Sequence, residues 1–161
     1  MMDIQNFRYQ DMDGRLLSLH DCRANRVLFS DGVLSFIFPD GIVLAPNHPH
    51  NPTGEPVRTG LARVDFPLLT REKEDVSVCV FRRISQSRLI CREWPLEELA
   101  DALLTKKCEL EFISRYDGYL ELLYECCLWQ ERKPYHRDCQ LKILAKQPVY
   151  RWNEICEDCN R

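Results

Sequence analysis

Arg26-Val27-Leu28-Phe29-Ser30-Asp31-Gly32-Val33-Leu34-Ser35-Phe36-Ile37-Phe38-Pro39-Asp40-Gly41-Ile42-Val43-Leu44 is the stretch that decides the fold class. Its apolar residues follow a period of two, so successive side chains belong to opposite faces of a strand. Leu34, Phe36 and Phe38 share one face, which predicts that all three lie in a core. Asp31-Gly32 and Asp40-Gly41 punctuate the run, and both residue types tolerate the positive φ of tight hairpin turns. The stretch therefore reads as a three-stranded antiparallel meander.

The pattern continues on the C-terminal side. Residues 45–60 contain four prolines, which lack a backbone donor and cannot sit inside a sheet, so the segment reads as a long loop. Beyond it, Ala62, Val64, Phe66 and Leu68 alternate with polar residues, a charged turn covers Thr70 to Asp75, and Val76, Val78 and Val80 resume the alternation, predicting a second hairpin. Ser87 to Glu93 adds a short strand.

The period changes once. Residues 95–107 open with Pro95, carry acids early and lysines late, and align Leu96, Leu99, Ala100 and Leu103, which predicts an amphipathic helix covering a sheet. Cys108, Leu110 and Phe112 then alternate, Asp117-Gly118 turns the chain, and Tyr119 to Trp129 runs back. Gln140 to Lys146 and Val149 to Asn153 follow.

Nine or ten strands exceed what one open sheet holds flat. The expected fold is mainly β (α+β), with antiparallel sheets as a two-layer sandwich or a strongly curled sheet and one helix. The 161 residues, 45% hydrophobic and 29% charged, suit a single domain over 1–161, with a C-terminal tail from 155 expected to fray.

Charge and cysteine use restrict the partners. Lys and Arg total 22 against 25 Asp and Glu, and the net of −3 provides no global attraction to nucleic acid or anionic lipid. The start, Met1 to Arg8, lacks a basic segment followed by an apolar one, and no run approaches a membrane span, so the expectation is an unexported chain with no membrane partner. Nine cysteines, an odd count, lie partly in apolar alternating runs where a reduced thiol packs as a small hydrophobe. That usage predicts a reducing cytoplasm.

Leu19-His20-Asp21-Cys22, Leu34 to Gly41, Cys108-Glu109-Leu110-Glu111-Phe112, Lys133 to Leu141 and Tyr150 to Glu154 together resemble a group of small uncharacterised bacterial proteins, mostly clostridial. The resemblance covers residues 19–154. Some similar small β-rich proteins act as immunity partners in toxin systems, so it implies a binding role and carries over no catalytic residue.

Six glycines form neither GxGxxG nor a phosphate loop, and GxSxG and HExxH are absent, which leaves nucleotide-dependent, α/β-hydrolase and zincin readings without support. Cys156 and Cys159 have the spacing of half a zinc site, and His136 and Cys139 would complete four ligands; the competing reading is two solvent-facing thiols. Adjacent Cys126 and Cys127 point to opposite faces of a strand and are read as packing residues. His48 and His50 share one side of an extended loop, with Glu55 as the acid within it, against the alternative of a polar exposed loop. His20 and Cys22 form a short-range pair that an activated thiol would use, against a strand entrance.

Arg82, Arg83, Arg88 and Arg92 cluster beside Phe81, either as a local nucleic-acid surface or as solvated edge protection. Among the aromatics, Trp94, Trp129, Tyr135, Tyr150 and Trp152 suit both interface hot spots and β cores. A turn over Glu131 to Asp138 reads as a hairpin tip. Arg132, Lys133, Tyr135 and His136 on that tip, with Tyr150 and Trp152, are the candidate binding residues.

The leading expectation is thus a non-enzymatic cytoplasmic domain that binds another protein, of immunity type, with no cofactor. The alternatives are a small enzyme using His20, Cys22, His48 and His50, and a zinc-binding protein using His136, Cys139, Cys156 and Cys159.

Overall fold

The structure, a computed structural model, describes residues 6–156. In chain order the strands are β1 Tyr9–Asp11, β2 Leu17–Ser18, β3 Cys22–Ala24, β4 Arg26–Ser30, β5 Val33–Phe38, β6 Val43–Leu44, β7 Val57–Arg58 and β8 Ala62–Pro67. A short 3₁₀ turn, Lys73–Asp75, precedes β9 Val76–Ser85 and β10 Arg88–Trp94; then come helix α1 Leu96–Leu104, β11 Glu109–Asp117, β12 Glu121–Trp129, β13 His136–Leu144 and β14 Val149–Trp152. A five-stranded sheet has the order β1-β14-β8-β5-β4, a six-stranded sheet β10-β9-β13-β12-β11-β3, and a small third sheet β2-β6-β7. Every pairing is antiparallel.

Alternation decides which face of each strand meets the core. On β5, Leu34, Phe36 and Phe38 are fully buried and stand opposite Phe66, Val64 and Ala62 of β8. In the larger sheet, Leu110, Phe112, Tyr124, Cys126, Leu141 and Val78 form the matching surface. Aromatic edges join the layers: Phe36 meets Phe112 with ring centroids 5.2 Å apart, and Phe66 meets Tyr124 at 6.0 Å. The molecule is thus mainly β, with two sheets packed face to face.

Two expected hairpins separate into different layers. Asp31-Gly32 does turn β4 into β5, both residues having positive φ. Asp40-Gly41 does not continue the meander: β6 leaves for the small sheet, and β8 pairs with β5 instead. Gly41 has φ of 83°, and a Cβ there would lie 2.0 Å from the Thr59 carbonyl oxygen, so close backbone approach requires this glycine. Likewise β8 and β9 do not pair. The charged turn between them crosses from one sheet to the other, held by buried Asp75, whose carboxylate accepts the Thr70 N–H at 2.7 Å and hydroxyl at 2.9 Å. The return crossing, from β13 to β14, lies beside it through a bridge between Leu68 and Ala145.

The helix is shorter than 95–107 because Thr105 folds its hydroxyl back onto the Asp101 carbonyl at 2.9 Å and Lys107 turns to positive φ. Leu99, Ala102 and Leu103 are buried, and α1 packs against β4, β9 and β10. Those elements include an edge strand of each of the two larger sheets, so the helix closes one open side of the sandwich.

The proline-rich loop is ordered. Buried Asn51 donates from Nδ2 to the carbonyls of Ala45 at 2.9 Å and Glu55 at 2.7 Å, and its own carbonyl oxygen receives the Thr53 N–H. Cys22, Cys108, Cys126, Cys127 and Cys139 are free and buried, as the small-hydrophobe reading expects. Cys79 and Cys91 depart from it, joined by a disulfide across β9 and β10 with Cα atoms 6.0 Å apart. Among the described residues no helix is long and apolar enough to cross a membrane.

Candidate functional site

The β9–β10 hairpin is built differently from the rest of the sheet. Val78 and Val80 of β9 face the core, and the ladder between β9 and β13 ends where Val80 stands opposite Cys139. Past that point β9 pairs with β10 alone. Residues 82–93 are all exposed, including Ile84, Leu89 and Ile90. Two-stranded ribbons without a buried face are marginal in water. Here the Cys79–Cys91 disulfide ties the strands at the base of the ribbon.

Four arginines decorate it. Arg92 pairs with Glu98 of α1 at 3.1 Å and Arg83 donates to the Gln86 carbonyl at 3.0 Å, while Arg82 and Arg88 extend the positive surface. β10 is the sheet's edge strand, so one row of its backbone N–H and C=O groups lacks a neighbouring strand.

The second tip predicted from sequence is found at the same end of the sheet. β13 begins at His136, three residues before Cys139, so the β12–β13 connection lies where β9 leaves the ladder. Arg132, Lys133 and Tyr135 are exposed on it. Gln130 closes the tip, its N–H donating to the Tyr135 carbonyl at 2.9 Å and its side chain to that of Pro134. His136 lies against Trp129, ring centroids 5.3 Å apart, and the Arg23 guanidinium covers Trp129 at 4.7 Å. Over residues 82–93 and 131–138 together, seven arginines and lysines accompany three acids, Glu93, Glu131 and Asp138.

Tyr150 and Trp152 do not join this surface. Each is 1% exposed in the core, because their shared face of β14 is the one that packs inward. Trp94 is buried as well, with Arg137 over its ring at 5.0 Å.

Of the proposed zinc ligands, His136 and Cys139 are not brought together. His136 and Cys139 both lie in β13 on opposite faces, His136 exposed and Cys139 buried, because three positions along a strand reverse the side-chain direction. Burial pushes the Cys139 thiol up to about 12, away from the thiolate a metal requires. Cys156 is disulfide-bonded, and Cys159 lies outside the described residues. Among the described residues, no group of three or more His, Cys, Asp or Glu is arranged to hold a metal.

His20 and Cys22 likewise do not form a dyad. The His20 Nδ1–H donates to the Ile113 carbonyl at 2.6 Å, while Cys22 is fully buried and donates to the His20 carbonyl at 3.5 Å. Burial pushes the Cys22 thiol up to about 11, although Arg58 beside it pulls the other way.

His48 finds an acid that sequence reading did not supply. Asp11, on β1, accepts its Nε2–H at 2.7 Å, while its Nδ1 accepts the His50 N–H at 3.0 Å. Both ring nitrogens of His48 are occupied and its side chain is fully buried, so the pair anchors the loop and the imidazole has no nitrogen left for a substrate proton. His50 instead is exposed, its ring tilted by 39° against that of Tyr9 with centroids 4.5 Å apart.

A buried carboxylate organises the outer face of the five-stranded sheet. Asp65 accepts from Ser35 at 2.6 Å, Arg63 at 2.7 Å and Arg151 at 2.9 Å. Burial acts to raise its pKa, and these three donors override it, holding the carboxyl below the usual range. This network is a structural clamp rather than an open site.

In comparison with known proteins, no family model matches the chain, and neither a curated protein nor a solved structure matches it.

Proposed function

We propose that the chain is a protein-interaction domain whose docking element is the paired tips of β9–β10 and β12–β13, and that its partner presents an acidic, extended segment. The observation that carries this reading is the continuous exposure of residues 82–93 on both faces of a disulfide-tied ribbon. Isolated ribbon with Ile84, Leu89 and Ile90 in water costs free energy that burial against a partner returns. Free edge positions on β10 match the backbone of an added strand, and the local excess of arginine and lysine favours carboxylates on it. Nucleic acid shares the attraction to cations but offers neither a strand backbone nor a use for three aliphatic side chains. An immunity-type role, as the resemblance implies, is one form this binding takes.

Selection of displayed random dodecapeptides against the whole protein tests the reading. Enriched sequences are expected to alternate acids with apolar residues, and Arg82→Glu/Arg88→Glu is expected to weaken them by roughly tenfold or more. Enrichment without acids, unchanged binding to the charge-reversed variant, or binding of single-stranded RNA without any peptide binding would overturn it.

A further inference from the structure

The cysteines divide by exposure. Cys22, Cys108, Cys126, Cys127 and Cys139 are free thiols inside the fold, and burial raises the pKa of each, so none presents a thiolate at neutral pH. Cys79 and Cys91 are joined to each other on the ribbon, Cys79 half-buried and Cys91 exposed. Cys156, beyond β14, is disulfide-bonded as well.

Strand register isolates the ribbon pair from the free thiols. Cys79 stands opposite Glu93 of β10 and Gln140 of β13, on the face turned away from the core, whereas Cys139 points inward beside Val80. Cys127 shares the outer face but belongs to β12, one strand further off, where it stands opposite Asp138. Cys91 stands opposite Phe81 on an edge strand. Breaking the bond therefore leaves no other free thiol next to either sulfur, and re-oxidation restores the same pair.

The bond also sits where other support for the ribbon ends. β13 pairs with β9 only as far as Val80, and α1 reaches β10 near its C-terminal end, through Arg92 and Glu98 at 3.1 Å. From Phe81 to Ile90 the two strands pair with each other, and the crosslink between positions twelve apart limits how far they can separate.

We infer that the Cys79–Cys91 bond is a redox-modification site, that its reduction by a dithiol loosens the ribbon, and that this loosening regulates docking at the tips. The regulatory part rests on the docking reading above. A thiolate of the dithiol attacks the exposed Cys91 sulfur, forming a mixed disulfide and releasing Cys79 as a thiolate that takes up a proton. The second thiolate of the dithiol then attacks its own sulfur in the mixed disulfide and releases Cys91 in the same way. Two electrons and two protons reach the protein, and the dithiol leaves as a disulfide. Loosening lowers the fraction of molecules with a formed ribbon, and apparent affinity falls with that fraction.

Intact protein purified without reductant is compared before and after treatment with dithiothreitol, by amide hydrogen exchange and by binding of an acidic dodecapeptide enriched in the selection above. Mass spectrometry of iodoacetamide-labelled peptides follows the state of Cys79 and Cys91. Reduction is expected to speed exchange over 81–90 roughly tenfold or more while β5 and β12 stay protected, and to weaken the peptide roughly fivefold or more. Cys79→Ser/Cys91→Ser is expected to behave as the reduced protein under both conditions. Cys156→Ser is expected to keep the response of the parent, which separates the two disulfides. Unlinked Cys79 and Cys91 before treatment, unchanged exchange over 81–90, loss of protection throughout the chain, or equal peptide binding by the two forms would overturn the inference. A ribbon response with no peptide bound to either form upholds the modification site and overturns the docking reading instead.

Discussion

His48 and Asp11 meet across 37 residues of chain, the imidazole giving its Nε2–H to the carboxylate at 2.7 Å while the His50 N–H occupies its Nδ1. The pair fastens the proline-rich loop to β1. Replacing His48 by Ala removes a fully buried ring and leaves Asp11 without its donor, an expected loss of about 2–4 kcal/mol. Urea unfolding measures it. A change within about 0.5 kcal/mol, the range of ordinary surface substitutions, would show that the loop is not held by this pair.

Asp65 gives a pH-dependent expectation. Its folded carboxyl titrates below the usual range, so its stabilisation is complete above the unfolded-state value of about 4 and is lost as pH falls through the lower folded value. Asp65→Asn leaves Arg63 and Arg151 facing a neutral amide, an expected cost of about 3 kcal/mol at neutral pH. Unfolding curves measured from pH 7 downward should converge in acid. A gap independent of pH would assign the loss to packing instead.

Thiol chemistry separates the cysteines by burial. With Cys22 pushed up to about 11 and Cys139 to about 12, iodoacetamide at neutral pH is expected to label both only as fast as the protein opens. After mild reduction, exposed Cys91 is expected to react before either, and amide protection over 81–90 to fall. Rapid labelling of Cys22 in the folded protein would restore the nucleophile reading.

Local features of the fold were legible because local chemistry determines them. Alternation at Leu34, Phe36 and Phe38 found the core, and Asp31-Gly32 found a true hairpin. Sheet membership was not legible, since Asp40-Gly41 looks the same in one dimension while Gly41 serves contact with Thr59, eighteen residues away. The charged turn before Val76 gave no sign that it changes layer.

The candidate site was partly legible for related reasons. Arg82, Arg83, Arg88 and the Arg132–His136 tip were visible as residue types, but their common end depends on the register of β9 with β13. Exposure of both faces of the ribbon depends on where that neighbour stops. Tyr150 and Trp152 could not be told from an interface pair because alternation says which residues share a face, not which way it points. His48 lacked its acid in sequence because five strands, β2 to β6, lie between Asp11 and the loop.

The two crossings between the sheets run side by side: besides the bridge from Leu68 to Ala145, the Leu69 N–H reaches the Leu144 carbonyl at 3.2 Å and the Lys146 N–H reaches that of Pro67 at 2.9 Å. Residues about 77 positions apart must therefore meet before either sheet is complete, since β8 awaits β14 in one layer and β9 awaits β13 in the other. Such a seam welds the layers into one cooperative unit that offers no half able to fold alone. High contact order of this kind makes folding slow and the equilibrium transition all-or-none, so fluorescence and circular dichroism should trace one coincident unfolding curve.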